Sequence, residues 1–168
     1  PIWAHAAIAQ QVSQRAITLV KDVRNQVPLK LPRTSNLLYL SVLDYPAGWR
    51  IATPSRTFIP ELRQRYPQLT SIEVSDRTTP AELDLIRSTA SRYDAIVVSV
   101  FVRASSGSGR MDLAPPVTKL LTDLARATNT SGNPMVTTFF GNPYVAMFLT
   151  DLPAALLTYD FYDGAEAR

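Results

Sequence analysis

Five short, nearly continuous apolar runs, each set off by loop residues and separated by amphipathic stretches, constrain this chain more than any other feature. They span 36–42, 71–75, 94–101, 134–140 and 154–159. Runs of this length without strict alternation are expected of strands covered on both faces, which is the situation in a parallel sheet. The segments between them have helical periodicity. Residues 60–65 form one such segment. Thr79-Pro80-Ala81-Glu82 opens another as a capping box with proline at the first helical position, ahead of a stripe of Leu83, Ile86 and Ala90. Pro116 opens a third, with Val117, Leu120, Leu121 and Leu124 on one face, and 142–149 reads as a short fourth. Ahead of the first strand, Ile8, Val12, Ala16 and Leu19 recur at helical spacing and predict a helix over 4–20, stopped by Lys21-Asp22 and Pro28-Leu29. The fold class that follows is α/β. It is a three-layer α/β/α sandwich around a mainly parallel, flavodoxin-like open sheet of about five strands, in the order 2-1-3-4-5. Segments 37–42 and 96–100 should be adjacent at its centre, because they are the most continuously apolar.

Composition narrows the functions available. The 168 residues amount to one domain, and with 46% apolar and 18% charged residues the chain has the makings of a packed core. With no cysteine, disulfides, thiol nucleophiles and thiolate metal sites are excluded, and a lone histidine, His5, argues against an imidazole metal site. No metal and no cofactor is therefore expected. The net charge of +3 is scattered among acids and forms no basic patch with interleaved aromatics, so nucleic acid is not an expected partner. No run approaches the roughly 18 apolar residues that cross a bilayer, and the richest stretch, 144–157, is interrupted by Asp151 and Pro153. The chain starts at Pro1 and stops at 160–168, where a last covering helix would begin, so a piece of a longer protein is expected, with no compartment assigned. Phe161, Tyr162 and the outer face of 154–159 would then carry apolar surface meant for a partner.

Ligands of open α/β sheets bind beyond the carboxyl ends of the strands. A phosphate-accepting receiver needs an Asp at the end of the third run and a Lys after the fifth. Here the third ends Ser99-Val100-Phe101, and no Lys follows Tyr159. A flavin-phosphate loop after the first run is replaced by Leu43-Asp44-Tyr45-Pro46-Ala47-Gly48-Trp49. Ser105-Ser106-Gly107-Ser108-Gly109-Arg110 has residues small enough to cradle an anion but lacks the Gly-Lys-Ser/Thr ending of a P-loop. It reads as a rim loop flanked by Arg103 and Arg110. Asp44, Asp76, Asp160 and Asp163 all follow strands on the crevice side. His5 has no positioned partner, and Asn129-Thr130-Ser131 fits the N-glycosylation pattern at a frequency close to chance. No catalytic residue is assigned. The candidates for a substrate rim are Asp44, Arg103, Ser105, Arg110 and Asn142.

Four ordered segments resemble the C-terminal domain of family 3 glycoside hydrolases, of the β-N-acetylglucosaminidase and β-glucosidase kind. Ala16-Ile17-Thr18-Leu19-Val20-Lys21-Asp22 with Asn25 and Pro28-Leu29 is similar to the stretch that opens that domain. The run 94–103 is similar to the strand that delivers a loop to the active-site rim. Phe139-Phe140-Gly141-Asn142-Pro143-Tyr144, followed by 148–153, resembles the family's Phe-Gly-Ser/Asn-Pro-Tyr turn, and 154–160 resembles its last strand. The resemblance implies a parent enzyme whose aspartate nucleophile lies on a preceding (β/α)8 barrel. The partners would be the chain's own N-terminal catalytic barrel and a carbohydrate substrate. The chain alone would be inactive. In the β-glucosidase-like branch a glutamate of this domain is the acid/base, but Glu61, Glu73, Glu82 and Glu166 suit helix or strand positions better, which favours the acetylglucosaminidase-like branch. The competing expectation is a stand-alone α/β module that binds a small ligand at the strand-end crevice.

Overall fold

In the computed structural model, which describes residues 2–44, 54–102 and 111–159, all five apolar runs become strands of one sheet, and a sixth strand joins them. The strands are β1 (Thr18–Asp22), β2 (Leu37–Asp44), β3 (Leu69–Ser75), β4 (Ala95–Val102), β5 (Met135–Gly141) and β6 (Ala154–Leu157). The helices are α1 (Ile2–Ala16), α2 (Phe58–Arg65), α3 (Pro80–Thr89) and α4 (Pro115–Ser131). The spatial order is β1-β6-β5-β4-β2-β3, parallel throughout except that β1 runs antiparallel to β6. Leaving β1 aside, the five parallel strands follow the 2-1-3-4-5 order, and β2 lies beside β4 as the apolar runs require.

Strand alternation divides the core in two. Leu38, Leu40 and Val42 of β2 and Ile96, Val98 and Val100 of β4 pack against Leu83 and Ile86 of α3 and Val117, Leu120, Leu121 and Leu124 of α4. The other face presents Leu37, Tyr39, Ala95 and Val97 to Phe58, Ile59 and Leu62 of α2. Helices on both faces make three layers. The capping box forms as read: the Glu82 carboxylate accepts the Thr79 N–H at 2.8 Å, and the Glu82 N–H donates to the Thr79 hydroxyl at 3.4 Å.

Two expectations need correction, and the sheet gains one strand. The first helix ends at Ala16, because Thr18–Asp22 pairs with β6; the helical spacing that ran on to Leu19 yields to β-branched residues with a strand to join. Its stripe is not core either, since Ile8 and Val12 are each 60% exposed. The sheet thus has six strands, the sixth closing an edge that the parallel pattern leaves open. Last, 142–149 is not α-helical but a 3-10 turn over Pro143–Phe148, after which the chain sinks into the core at Leu149 and Leu152 to reach the start of β6. On the outer face, exposed Leu19 sits opposite half-buried Leu156, while Phe161, Tyr162 and the helix expected over 160–168 lie outside the described residues.

The turn after β1 ties the edge strand to the core. Asp22 accepts the N–H groups of Gln26 and Val27 at 2.8 and 2.9 Å, the Gln26 side-chain oxygen accepts the Met135 N–H at 2.8 Å, and Arg24 donates to the carbonyls of Thr128 and Asn133. The amides of Gln26 and then Val27 hold the Asp22 carboxyl below its ordinary value. A folded-state pKa below the unfolded one stabilises the fold above the unfolded value, and this contribution is lost as the pH falls through the folded value. Asp22→Asn is therefore expected to lower the thermal midpoint at neutral pH and to flatten its decline below about pH 4, where free carboxyls titrate. A mutant whose acid profile runs parallel to the parent's would remove Asp22 from the acid response.

Gly141 ends β5 at φ +91°, a conformation penalised by a Cβ. Gly141→Ala is expected to cost on the order of 1 kcal/mol or more. An unchanged midpoint in urea would show that the strand-to-turn transition tolerates a side chain.

Candidate functional site

The carboxyl ends of β2, β4, β5 and β6 meet at one edge of the sheet. Asp44, Val102 and Gly141 are in register across three strands, and the Asn142 N–H donates to the Val102 carbonyl at 2.9 Å, which ties the turn after β5 to the end of β4. Next to it, the Thr158 N–H donates to the Phe139 carbonyl at 3.0 Å and fixes the exit of β6. Strand order reverses between β2 and β4, the switch point at which open sheets hold ligands.

Beneath this rim lies an apolar floor. Leu43, Phe101 and Phe140 are registered neighbours on β2, β4 and β5 and are buried. The rings of Phe101 and Phe140 stack at 4.7 Å, and Phe58 of α2 meets Phe140 edge-on at 6.0 Å. Bulky rings at the last inward positions of the strands leave the polar chemistry to the loops above.

Two of the five rim candidates are thus brought to the same edge. Asp44 is the last residue of β2, two strands from Gly141-Asn142. Asn142 is 8% exposed, and its side-chain oxygen accepts the Tyr144 N–H at 3.1 Å, so it caps the 3-10 turn where Pro143 begins it. Arg103, Ser105 and Arg110 fall in 103–110, outside the described residues, as do Asp160 and Asp163. Asp76 is exposed beyond β3, and His5 is exposed on α1. No cluster of three or more metal-ligating side chains occurs among the described residues, and no described helix is long and apolar enough to cross a membrane.

Sequence reasoning missed the rim's exposed apolar residues. Tyr144 is 58% exposed, and Tyr159, at φ +64°, is 49% exposed just beyond β6. Each follows the end of a strand, and no sequence signal marked them, because exposure there depends on what packs above. Exposed rings at the strand ends suit a hydroxyl-rich ligand or a packed protein surface.

No protein-family model matches the chain, and no curated protein matches it at a significant level. Solved structures do resemble it. A glycoside hydrolase family 3 β-N-acetylglucosaminidase from Paenibacillus sp. superposes with a TM-score of 0.70 at 14% identity, over 94% of this chain and 28% of that one. The β-glucoside phosphorylase BglX gives 0.69 at 16% identity, over 97% and 28%. A fungal multi-domain family 3 β-N-acetylglucosaminidase gives 0.65 at 18% identity, over 98% and 17%. The chain has the fold of one domain of these enzymes and spans 17–28% of their length.

Proposed function

We propose that this chain is the C-terminal accessory domain of a glycoside hydrolase that cleaves O-glycosidic bonds, of the β-N-acetylhexosaminide or β-glucoside class. The observation that carries this reading is the coverage: nearly the whole chain aligns with a minor part of family 3 enzymes, and the motifs that resemble the family fall at the start of the domain and at the strand ends. Partners on this reading are the chain's own N-terminal barrel, which supplies the nucleophilic carboxylate, and the sugar held between the two.

In a retaining mechanism, two carboxyl-type groups about 5 Å apart flank the scissile bond in a pocket that excludes water. The domain's part is to wall that pocket. Asp44, Arg103, Ser105, Arg110 and Asn142 are the polar rim, and Tyr144 and Tyr159 are the rings that shield sugar or barrel from solvent. Asn142 acts by holding its turn. The reading is tested on the parent reading frame. A barrel pattern of about 250 residues upstream of Pro1 is expected, and an uninterrupted different domain there would overturn it.

A further inference from the structure

Along the outer edge of the sheet, one strand beyond β2, β3 and α3 enclose a groove of about 540 Å³. This lies within the roughly 300–1,000 Å³ typical of small-ligand sites. It runs the length of α3, about 15 Å for ten residues, from Arg77 and Glu82 at one end to Arg92 and Tyr93 at the other. Half-buried Ile72 and Tyr93 supply apolar surface, and Leu85, 61% exposed, stands along its wall. Glu82 is committed to its cap, but Glu73, Arg77 and Arg92 are exposed, and none of their side chains makes an ion pair or hydrogen bond with a described residue.

We propose that this groove binds a neutral β-linked oligosaccharide, as a second saccharide site separate from the strand-end rim; the proposal rests on the reading of the parent as a glycoside hydrolase. Unpaired charges of both signs favour neither an anion, which Glu73 opposes, nor a cation, which the two arginines oppose. A guanidinium presents fixed donors and a carboxylate fixed acceptors, a set that matches the vicinal hydroxyls of a sugar. The side chains of Ile72, Leu85 and Tyr93 suit its C–H face, and the elongated shape suits a linear chain.

The experiment is an amide NMR titration of the 168-residue chain with chitotetraose and, separately, cellotetraose. Saturable shifts are expected in 72–78 and 82–93 with at least one of the two. In the Glu73→Ala/Arg92→Ala double variant, the affinity should fall by about tenfold or more, while the amides of the core strands keep their positions because both side chains are exposed. Absence of shifts with both sugars overturns the proposal. So do shifts confined to residues 102, 141–144 and 158–159, which would place sugar at the rim alone. Shifts in the groove produced by a heptapeptide of alternating Val and Thr, and by neither sugar, would identify the β3 edge as a site of peptide strand addition instead. Aryl-glycoside hydrolysis by the full-length parent separates the two readings. An active parent without groove shifts removes the groove alone, and a parent inactive on every aryl glycoside removes the hydrolase reading.

Discussion

Incubated alone with p-nitrophenyl N-acetyl-β-glucosaminide or p-nitrophenyl β-glucoside, the chain is expected to release no p-nitrophenol above the uncatalysed background. Joined to the barrel proposed for its parent, covalently or in trans, it should turn over. The size of this difference comes from positioning. Holding reacting groups in an attack geometry supplies about 7–11 kcal/mol of the barrier reduction, and among the described residues the strand-end rim offers only Asp44 at one position and a capping amide at another. Asp44→Asn and Asp160→Asn serve as controls. Turnover by the chain alone that disappears in either variant would make this domain an enzyme in its own right and reverse the proposed division of labour.

The largest expected effect on stability is at Phe101. Its side chain is fully buried, with 0% exposure, and stacks on Phe140 beneath the switch point. Phe101→Ala removes a ring from a floor made of Leu43, Phe140 and Phe58, and such truncations cost about 3–5 kcal/mol. For a domain with a total of about 5–15 kcal/mol, that approaches the limit of folding. Urea denaturation should show the midpoint fall sharply, whereas Met147→Ala, at a residue 71% exposed, should stay within about 0.5 kcal/mol of the parent. Equal effects at the two positions would mean that Phe101 does not anchor the rim.

The same ring bears on the rim. Phe101 lies one residue before Val102, whose carbonyl receives the Asn142 N–H. A floor that collapses into the space left by the ring would move the ends of β4 and β5 together. Loss of activity in the Phe101→Ala variant of the proposed parent enzyme, at temperatures where the domain stays folded, would report that displacement.

Local chemistry fixed a good deal of this protein in advance. Thr79 and Glu82 are three residues apart with Pro80 between them, and the reciprocal capping bonds follow from that spacing wherever the helix packs. Val117, Leu120, Leu121 and Leu124 share a face by helical period alone, and all four are buried. The runs 37–42 and 96–100 carry no polar face to turn to water, which leaves them only the middle of a covered sheet. Gly141 before Asn142-Pro143 has room for one local solution, a left-handed residue leading into a capped turn.

What the tertiary structure decided were the features that depend on a distant partner. Thr18–Asp22 continues a helical pattern, and only the open edge of β6, more than 130 residues further along the chain, makes a strand the better outcome, because pairing there satisfies backbone groups of both segments. Asp22 looked like a residue that stops a helix; its role as the acceptor that holds the 22–27 turn against β5 and α4 exists only once those elements have assembled. Exposure at Tyr144 and Tyr159 was likewise out of reach of sequence, since an aromatic is buried or left in water by what packs above it, and no local pattern encodes that neighbour.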